Sequence, residues 1–190
     1  MDIFNIKLLE QKDLHFVTQV RTDPEVQGFV GEYLITNSEK QKKWYESLIN
    51  DKSKMYFIFE KISSEEADGG KVCNFHQDIG YIRITNIDYI HRSMCVGGDI
   101  AKEYRGKGYA KEMYKLIFDL AFNKLNMHRV WLLVLEDNAR ARNLYKTMGF
   151  IEEGIQRESV YKDGVYKNYI SMSLLKNECT VLNKKDIIKG

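Results

Sequence analysis

The stretch YRGKGYAKEM, residues 104–113, constrains the fold of this chain more than any other segment. Two glycines and two cations lie between a predicted strand over 93–101 and a predicted helix that begins near residue 108. Glycine is a poor helix former, so Gly106 and Gly108 indicate a special backbone path. A helix N-terminus presents free N–H groups and a partial positive charge. The stretch is therefore either a phosphate-binding turn or a glycine-containing turn with solvated cations.

Strands and helices are interspersed along the rest of the chain. Period-two and period-3.6 patterns predict strands at 55–62, 79–87, 93–101 and 128–136, and helices at 36–51, 110–125 and 138–149. The segment 4–14 predicts a first strand and a helix entry at Lys12–Asp13, and that helix ends at Asp23–Pro24. This order predicts an α/β (α+β) fold with a mixed sheet, a single domain over 1–175 and a polar tail or linker over 176–190.

Four local patterns add detail to this prediction. Asp163–Gly164 between two strand patterns predicts a β-hairpin. The polar, glycine-rich segment 63–78 predicts a long, mobile hairpin connection. Gly97–Gly98 predicts a bulge or a close approach of backbone or ligand. The continuous apolar run within 128–136 predicts a central strand that is buried on both faces.

The composition excludes several classes of protein. A net charge of +2 without a cationic cluster does not suggest a nucleic-acid-binding protein. No transmembrane span or signal peptide is recognisable, so no membrane partner is expected. Three widely spaced cysteines argue against a disulfide framework or a zinc site, and they fit a cytoplasmic protein without a metal.

Two familiar phosphate-binding motifs are also excluded. The P-loop needs Ser or Thr directly after its Gly-Lys pair, and here Gly108 follows Gly106-Lys107. The dinucleotide fingerprint would begin at Gly106, but Lys111 stands where its last small residue belongs. The turn is therefore neither a Walker motif nor a Rossmann fingerprint.

Two motifs at a fixed distance resemble those of the GNAT superfamily of acyl-CoA N-acetyltransferases. The first is Arg105, Gly108 and Ala110. The second motif consists of Asn138, Ala141, Leu144-Tyr145 and Gly149-Phe150, after the expected strand HRVWLLVLE. The resemblance covers about residues 4–175. It is strongest to the branch that contains ribosomal-protein alanine acetyltransferases and nucleotide-amino-sugar N-acetyltransferases.

The resemblance implies a sheet whose fourth and fifth strands, 93–101 and 128–136, splay apart to admit the pantetheine arm of acetyl-CoA. It implies that this arm pairs with the edge of the fourth strand, and that backbone N–H groups hold the CoA diphosphate. The expected cofactor-binding residues are Ile100, Arg105, Gly106, Lys107, Gly108, Tyr109, Ala110, Asn138 and Arg142.

Tyr145 matches a family tyrosine that protonates the departing CoA thiolate, so the resemblance implies a general acid. The alternative is a half-buried tyrosine whose hydroxyl is in water. Asn138 either binds pantetheine or caps a helix, and both can hold. Arg142 and Lys146 either face the CoA phosphates or form a solvated surface.

The general base is not determined by sequence, because no spacing singles out one residue. The candidates are Glu32, Asp99, Glu136 and His91. His128, at a strand start, is expected to be structural. Since the family attacks directly, without an acyl-enzyme, Cys95 is not expected to be a nucleophile.

The acceptor is expected to bind between 23–50 and 155–170, because loops carry specificity. Candidate contacts are Trp44, Tyr45, Arg157, Tyr161 and Tyr166, each of which could equally be core or surface. By analogy, the expected acceptor is the amine of a UDP-linked 4-amino-4,6-dideoxy sugar. The alternatives are a protein N-terminus, a polyamine, or a non-enzymatic acyl-CoA-binding module. Branch members are often dimers, so the resemblance also implies a homodimer.

Overall fold

The computed structural model describes residues 2–30, 36–67 and 71–182. Its centre is a seven-stranded sheet in the order β1-β2-β3-β4-β5-β7-β6, in which β4 and β5 are parallel and the other neighbours are antiparallel. The strands are β1 Ile3–Leu8, β2 Met55–Ala67, β3 Lys71–Asp88, β4 Ser93–Ile100, β5 Arg129–Leu135, β6 Ile151–Lys162 and β7 Val165–Leu175. The predicted mixed α/β fold is confirmed.

Five α-helices flank this sheet in the described part of the chain. They are α1 Leu14–Thr22, α2 Pro24–Phe29, α3 Ser38–Leu48, α4 Tyr109–Phe118 and α5 Ala139–Thr147. A π-helical turn, Asp119–Lys124, extends α4. None of the described helices is both long and apolar enough to cross a lipid bilayer.

The alternation of side chains along β2 and β3 divides the core between the two faces of the sheet. Phe59 and Ile82 join the large cluster beneath α4, where Met113 and Ile117 are buried. Ile58 and Tyr81 point to the opposite face and pack with residues of α1 and α3, among them Val17 and Trp44. Helices therefore cover both faces of the sheet and leave its edges free.

The prediction of a long, mobile connection over 63–78 is wrong for residues 63–67 and 71–78, which are strands, while residues 68–70 lie outside the described residues. β2 and β3 continue as an antiparallel ribbon with regular pairs from Glu60–Asp78 to Ala67–Lys71. Side chains such as Ser64 and Asn74 are polar because this ribbon extends past the helices into solvent, and these two bond each other at 2.8 Å. Backbone pairing forms the strands even though there is no buried face to impose an apolar pattern.

The sequence predicted the end of α1 at Asp23–Pro24 but missed the helix that follows. The Asp23 carboxylate accepts hydrogen bonds from the N–H groups of Glu25 and Val26, at 3.1 and 3.2 Å. Pro24 occupies the first helical turn, where its missing N–H costs nothing. The same dipeptide therefore ends α1 and begins α2.

The predicted β6–β7 hairpin is confirmed, whereas Gly97–Gly98 shows no bulge and meets a side chain of α4. Asp163 and Gly164 have φ angles of +53° and +83° and close the β6–β7 hairpin. β4 passes Gly97–Gly98 without a bulge, because Gly97 and Gly98 pair regularly with Arg83 and Ile82. A Cβ at Gly98 would lie 2.5 Å from Met113 Cε, so close approach of α4 is the reason for that glycine.

Candidate active site

The site is a cleft that opens where β4 and β5 separate. Their parallel pairing consists of Ser93–Arg129, Met94–Val130 and Cys95–Trp131. Past these pairs, β4 stays paired with β3 and β5 stays paired with β7, so β4 and β5 separate. A cleft of about 770 Å³ lies between residues 96–100 and 132–134. Strand edges that leave a ladder present free N–H and C=O groups, so an extended ligand can pair there. The predicted splay of the two strands is therefore present.

The run 128–136 was predicted to be buried on both faces, and the cleft explains its apolar character. Val130, Leu132 and Val134 are buried in the core beneath α4. Trp131 and Leu133 are only partly buried, since they point the opposite way and line the cleft. The second apolar face of β5 thus lines the cleft.

The turn before α4 lies in the cleft wall. Gly106 and Gly108 have φ angles of +76° and +80°, in the left-handed region that glycine adopts without strain. A Cβ at either position would meet no protein atom within 4 Å. The glycines are thus required by backbone conformation, in agreement with the special backbone path that the sequence predicts.

This backbone path leaves several donors free. The Arg105 N–H donates to the Lys102 carbonyl at 3.3 Å, and the Lys111 N–H donates to the Gly108 carbonyl at 3.0 Å. Between them, the N–H groups of residues 106–110 donate to no acceptor in the part of the chain that the structure describes. These donors and the positive end of α4 form an anion-binding site that fits a diphosphate.

The Arg105 side chain is held by the protein. Its Nε donates to the Ile100 carbonyl at 3.0 Å, and Nη1 lies 2.9 Å from Asp23 Oδ1 and 2.8 Å from Glu25 Oε2. Its Nη2 is buried and has no hydrogen-bond partner among the described residues. Arg105 therefore ties the turn to β4 and α2, while keeping one donor in the cleft wall.

Tyr145 reaches the cleft from α5. Its ring packs edge-on against Tyr114, with centroids 5.5 Å apart, and lies 5.7 Å from the Phe150 ring. Burial raises the pKa of the Tyr145 phenol above its ordinary value, and the nearby Asp99 charge raises it further. Tyr145 is consequently protonated at neutral pH, as a general acid must be.

Asp99 also lines the cleft, and its carboxylate is paired. Arg83 Nη1 donates to Asp99 Oδ2 at 2.9 Å. The Asp99 charge raises the pKa of the Arg83 guanidinium, so this arginine stays charged. Gly97 makes room for the pair, since a Cβ there would lie 3.1 Å from Arg83 Nη2. The cleft thus contains two functional groups: the Arg83–Asp99 ion pair, which joins β3 to β4, and the Tyr145 phenol from α5.

The other base candidates are placed elsewhere. The Glu136 carboxylate accepts a hydrogen bond from Asn168 Nδ2 at 2.7 Å and does not line the cleft. His91 is exposed and lies 2.9 Å from Asp88, in the connection between β3 and β4. Glu32 lies outside the described residues. Asp99 is the one described candidate that the fold brings to the cleft.

The remaining predicted CoA contacts divide in two. Ile100, Tyr109, Ala110 and Asn138 line the cleft, and Asn138 Oδ1 also accepts the Ala141 N–H at 3.0 Å as the cap of α5. Three predicted cations point elsewhere. Arg142 bonds Glu152 and the Glu136 carbonyl, Lys146 pairs with Glu152, and Lys107 lies over the Tyr104 ring.

The aromatic acceptor candidates do not line the cleft. Trp44 packs edge-on against Tyr56 at 5.1 Å and belongs with Tyr45 to the core beside α3. The rings of Tyr161 and Tyr166 pack against each other in a tilted arrangement at the exposed tip of the β6–β7 hairpin. Arg157 lies on a separate surface depression with Glu158 and Asn168. The structure therefore does not bring these five predicted contacts together.

Five charged residues that line the cleft were missed by sequence reasoning, namely Arg21, Glu25, Arg83, Lys111 and Arg140. Each lies far in sequence from the two motifs or carries no distinctive spacing, so no local signal identifies it. Arg21 makes no ion pair or hydrogen bond with another described residue.

Burial raises the pKa of the Cys95 thiol, which disfavours a thiolate nucleophile.

A family model described as "Acetyltransferase (GNAT) domain" matches residues 4–151. This chain belongs to the GNAT acetyltransferase family. It is 27% identical over 173 residues to a spermidine N(1)-acetyltransferase of Vibrio cholerae, covering 91% of this chain and 93% of that protein. It is 29% identical over 175 residues to a putative ribosomal N-acetyltransferase, YdaF, of Bacillus subtilis, covering 91% of each.

The fold agrees with a solved member of the family. The crystal structure of spermidine N-acetyltransferase from Vibrio cholerae in complex with CoA and spermine superposes with a TM-score of 0.79 at 27% identity, covering 92% of this chain and 96% of that one. The protein is thus an acetyl-CoA-dependent N-acetyltransferase. The free N–H groups before α4 and the open strand edge fit CoA. No metal-binding group of three or more His, Cys, Asp or Glu occurs in residues 2–30, 36–67 and 71–182.

Proposed function

We propose that this enzyme transfers the acetyl group of acetyl-CoA to a primary amine of an aliphatic polyamine. The observation that supports this acceptor is the similarity, over nine-tenths of the chain, to spermidine N-acetyltransferases of Vibrio cholerae and Escherichia coli. The UDP-linked amino sugar expected from sequence is not among the acceptors named for these relatives. The polyamine alternative is therefore the better supported one.

In this proposal, the amine nitrogen attacks the acetyl carbonyl of acetyl-CoA, and the carbon–sulfur bond breaks to release the CoA thiolate. Tyr145 donates its phenolic proton to that thiolate, since its raised pKa keeps the phenol protonated. The amine reacts in its neutral form, after its ammonium proton has passed to solvent water, and the proton that the nitrogen loses as the amide forms restores the phenol. The N–H groups of residues 106–110 hold the diphosphate, and the free edges of β4 and β5 align the pantetheine arm.

We assign Asp99 to the acceptor. Its carboxylate lines the cleft close enough to Tyr145 to affect the pKa of that phenol, so it lies near the reacting groups. A carboxylate attracts the ammonium form of an incoming amine and accepts a hydrogen bond from it. Since Arg83 already donates to Oδ2, the acceptor amine is expected to use Oδ1.

A second candidate acceptor is an amine that carries a nearby anionic group, as a nucleotide-linked amino sugar does. Arg21 favours it, because this residue lines the cleft and makes no ion pair or hydrogen bond with another described residue. A free guanidinium binds phosphate or carboxylate and repels a polycation.

The test is CoA release from acetyl-CoA by the purified protein, measured against a panel of amines. The panel contains spermidine, spermine, UDP- and dTDP-linked amino sugars and peptides that begin with Ala or Ser. Turnover confined to the polyamines supports the proposal, while turnover confined to the nucleotide sugars or the peptides replaces it. Tyr145→Phe serves as the control that the activity belongs to this site. Acetyl-CoA binding without turnover of any amine would favour a non-enzymatic module.

A further inference from the structure

The Glu25 carboxylate bridges two arginines across the cleft. Its Oε2 accepts a hydrogen bond from Arg105 Nη1 at 2.8 Å, and its Oε1 accepts one from Arg140 Nη1, also at 2.8 Å. Glu25 is on α2, Arg105 precedes α4 and Arg140 is in the first turn of α5. All three residues line the cleft, so one carboxylate links three segments of its wall.

The bridge lies beside the donors that fit a diphosphate. Arg105 directly precedes the free N–H groups of residues 106–110. Arginine binds a phosphate with the same planar pair of donors that it offers to a carboxylate. The charged residues that line the described cleft are the cations Arg21, Arg83, Arg105, Lys111 and Arg140 and the acids Glu25 and Asp99. Asp99 is paired with Arg83, so Glu25 is the cleft-lining acid that contacts Arg105, whose Nη1 it shares with Asp23, the cap of α2.

Glu25 is able to leave this position. Its side chain is 49% exposed, and that of Arg140 is 65% exposed. Helix α2 has no fully buried residue, and it is held at its ends by the Asp23 cap and by Lys162, which donates to the Gln27 and Val30 carbonyls. Rotation of the Glu25 side chain therefore disturbs little packing.

We propose that Glu25 competes with a phosphate group of acetyl-CoA for Arg105 and Arg140. When the co-substrate binds, its phosphate takes over the two guanidinium groups, and Glu25 turns away and loosens α2. A carboxylate that stayed between the arginines would repel the phosphates, so Glu25 lowers the affinity for acetyl-CoA. The proposal concerns co-substrate binding alone and is independent of the identity of the amine acceptor.

The test is isothermal titration calorimetry with acetyl-CoA and no amine. Glu25→Gln is expected to tighten acetyl-CoA binding about two- to fivefold, the range for an exposed ion pair. Arg140→Gln is expected to weaken binding by a similar factor, and in that background Glu25→Gln is expected to give a smaller gain. Glu103→Gln, which removes an exposed acid close to the same turn, is the matched control and is expected to leave the affinity unchanged.

Two further probes identify the competing group. S-acetylpantetheine has no phosphate, so its affinity should be the same for Glu25→Gln and the unaltered protein. Dephospho-CoA keeps the diphosphate but lacks the 3′-phosphate. A gain for Glu25→Gln that persists with dephospho-CoA assigns the competition to the diphosphate, and a gain that disappears assigns it to the 3′-phosphate.

Amide hydrogen exchange reports the helix directly. Acetyl-CoA is expected to speed exchange of the Gln27 and Val30 amides, which close the turns of α2, in the unaltered protein but not in Glu25→Gln. The proposal is overturned if Glu25→Gln weakens acetyl-CoA binding or leaves it unchanged. Either result would mean that Glu25 supports the two arginines in their binding positions or has no part in binding.

Discussion

Replacing Tyr145 with phenylalanine tests the chemistry of the site most directly. The substitution removes one oxygen and keeps the ring that packs on Tyr114 and Phe150. We therefore expect the free energy of unfolding to change by less than about 0.5 kcal/mol. The affinity for acetyl-CoA should change by less than about twofold, because the groups assigned to the diphosphate lie on another element, the turn before α4.

The expected loss is in turnover. General acid catalysis contributes at least about a hundredfold, which corresponds to about 2.7 kcal/mol of transition-state stabilisation. Steady-state CoA release at saturating acetyl-CoA measures kcat, and calorimetry on the same protein measures the acetyl-CoA affinity. A fall in kcat at constant affinity indicates an interaction that is made only in the transition state.

A neighbouring tyrosine supplies the matched control. The Tyr114 ring packs on Tyr145, and its buried hydroxyl is near enough to lower the pKa of the Tyr145 phenol, although it makes no hydrogen bond of ordinary geometry among the described residues. Tyr114→Phe should keep kcat within about threefold and leave stability unchanged or slightly higher, because it removes an unsatisfied polar group. The assignment of Tyr145 as the acid is refuted if Tyr145→Phe retains full turnover, or if Tyr114→Phe loses as much.

Three further predictions follow from particular contacts. Because the pKa of Tyr145 is raised, the phenol stays protonated in alkaline solution, so kcat measured against pH should not fall until above about pH 10. A fall in kcat at lower pH that is abolished by Tyr145→Phe would contradict this prediction. Gly108→Ala should lower the free energy of unfolding by about 1–2 kcal/mol in a denaturant titration and weaken acetyl-CoA binding, because the φ angle of Gly108 is +80°. Gly154→Ala, at an open position without positive φ, is the control and should change the free energy of unfolding by under about 0.5 kcal/mol. Gly98→Val should lower the free energy of unfolding by about 1–3 kcal/mol, because the new side chain would contact Met113. In a double-mutant cycle, Met113→Ala should relieve part of that loss, and additive effects of the two substitutions would exclude the contact.

Local signals in the sequence were sufficient for much of the secondary structure. Asn138 begins α5 because its side chain accepts a backbone N–H three residues on, an interaction within one helical turn. Asp163 and Gly164 close their hairpin because both adopt positive φ, which their residue types permit. The predicted turn before α4 is present for a similar reason, since the conformation of Gly106 and Gly108 is a property of those residues.

Interactions between distant segments were not predictable in this way. The polar ribbon of β2 and β3 shows no apolar alternation, since it is held by backbone pairing outside the core. The sequence did not distinguish Asp99 from the other three base candidates. In the structure, Asp99 lines the cleft, whereas Glu136 and His91 lie outside it. By sequence, Arg142 and Lys146 could face the CoA phosphates or form a solvated surface, and Arg142 was expected to bind the cofactor, but Glu152 on β6 pairs with both.

The sequence by itself determined the mixed α/β fold, the acetyl-CoA motif and the candidate acid, because each depends on residues within one turn, strand or helix or on a motif of fixed spacing. Only the tertiary structure decided which charges share the cleft. Glu25 meets Arg105 and Arg140 across 80 and 115 residues of chain. No periodicity or spacing encodes such a contact, because it depends on how the helices pack around the separated strands β4 and β5.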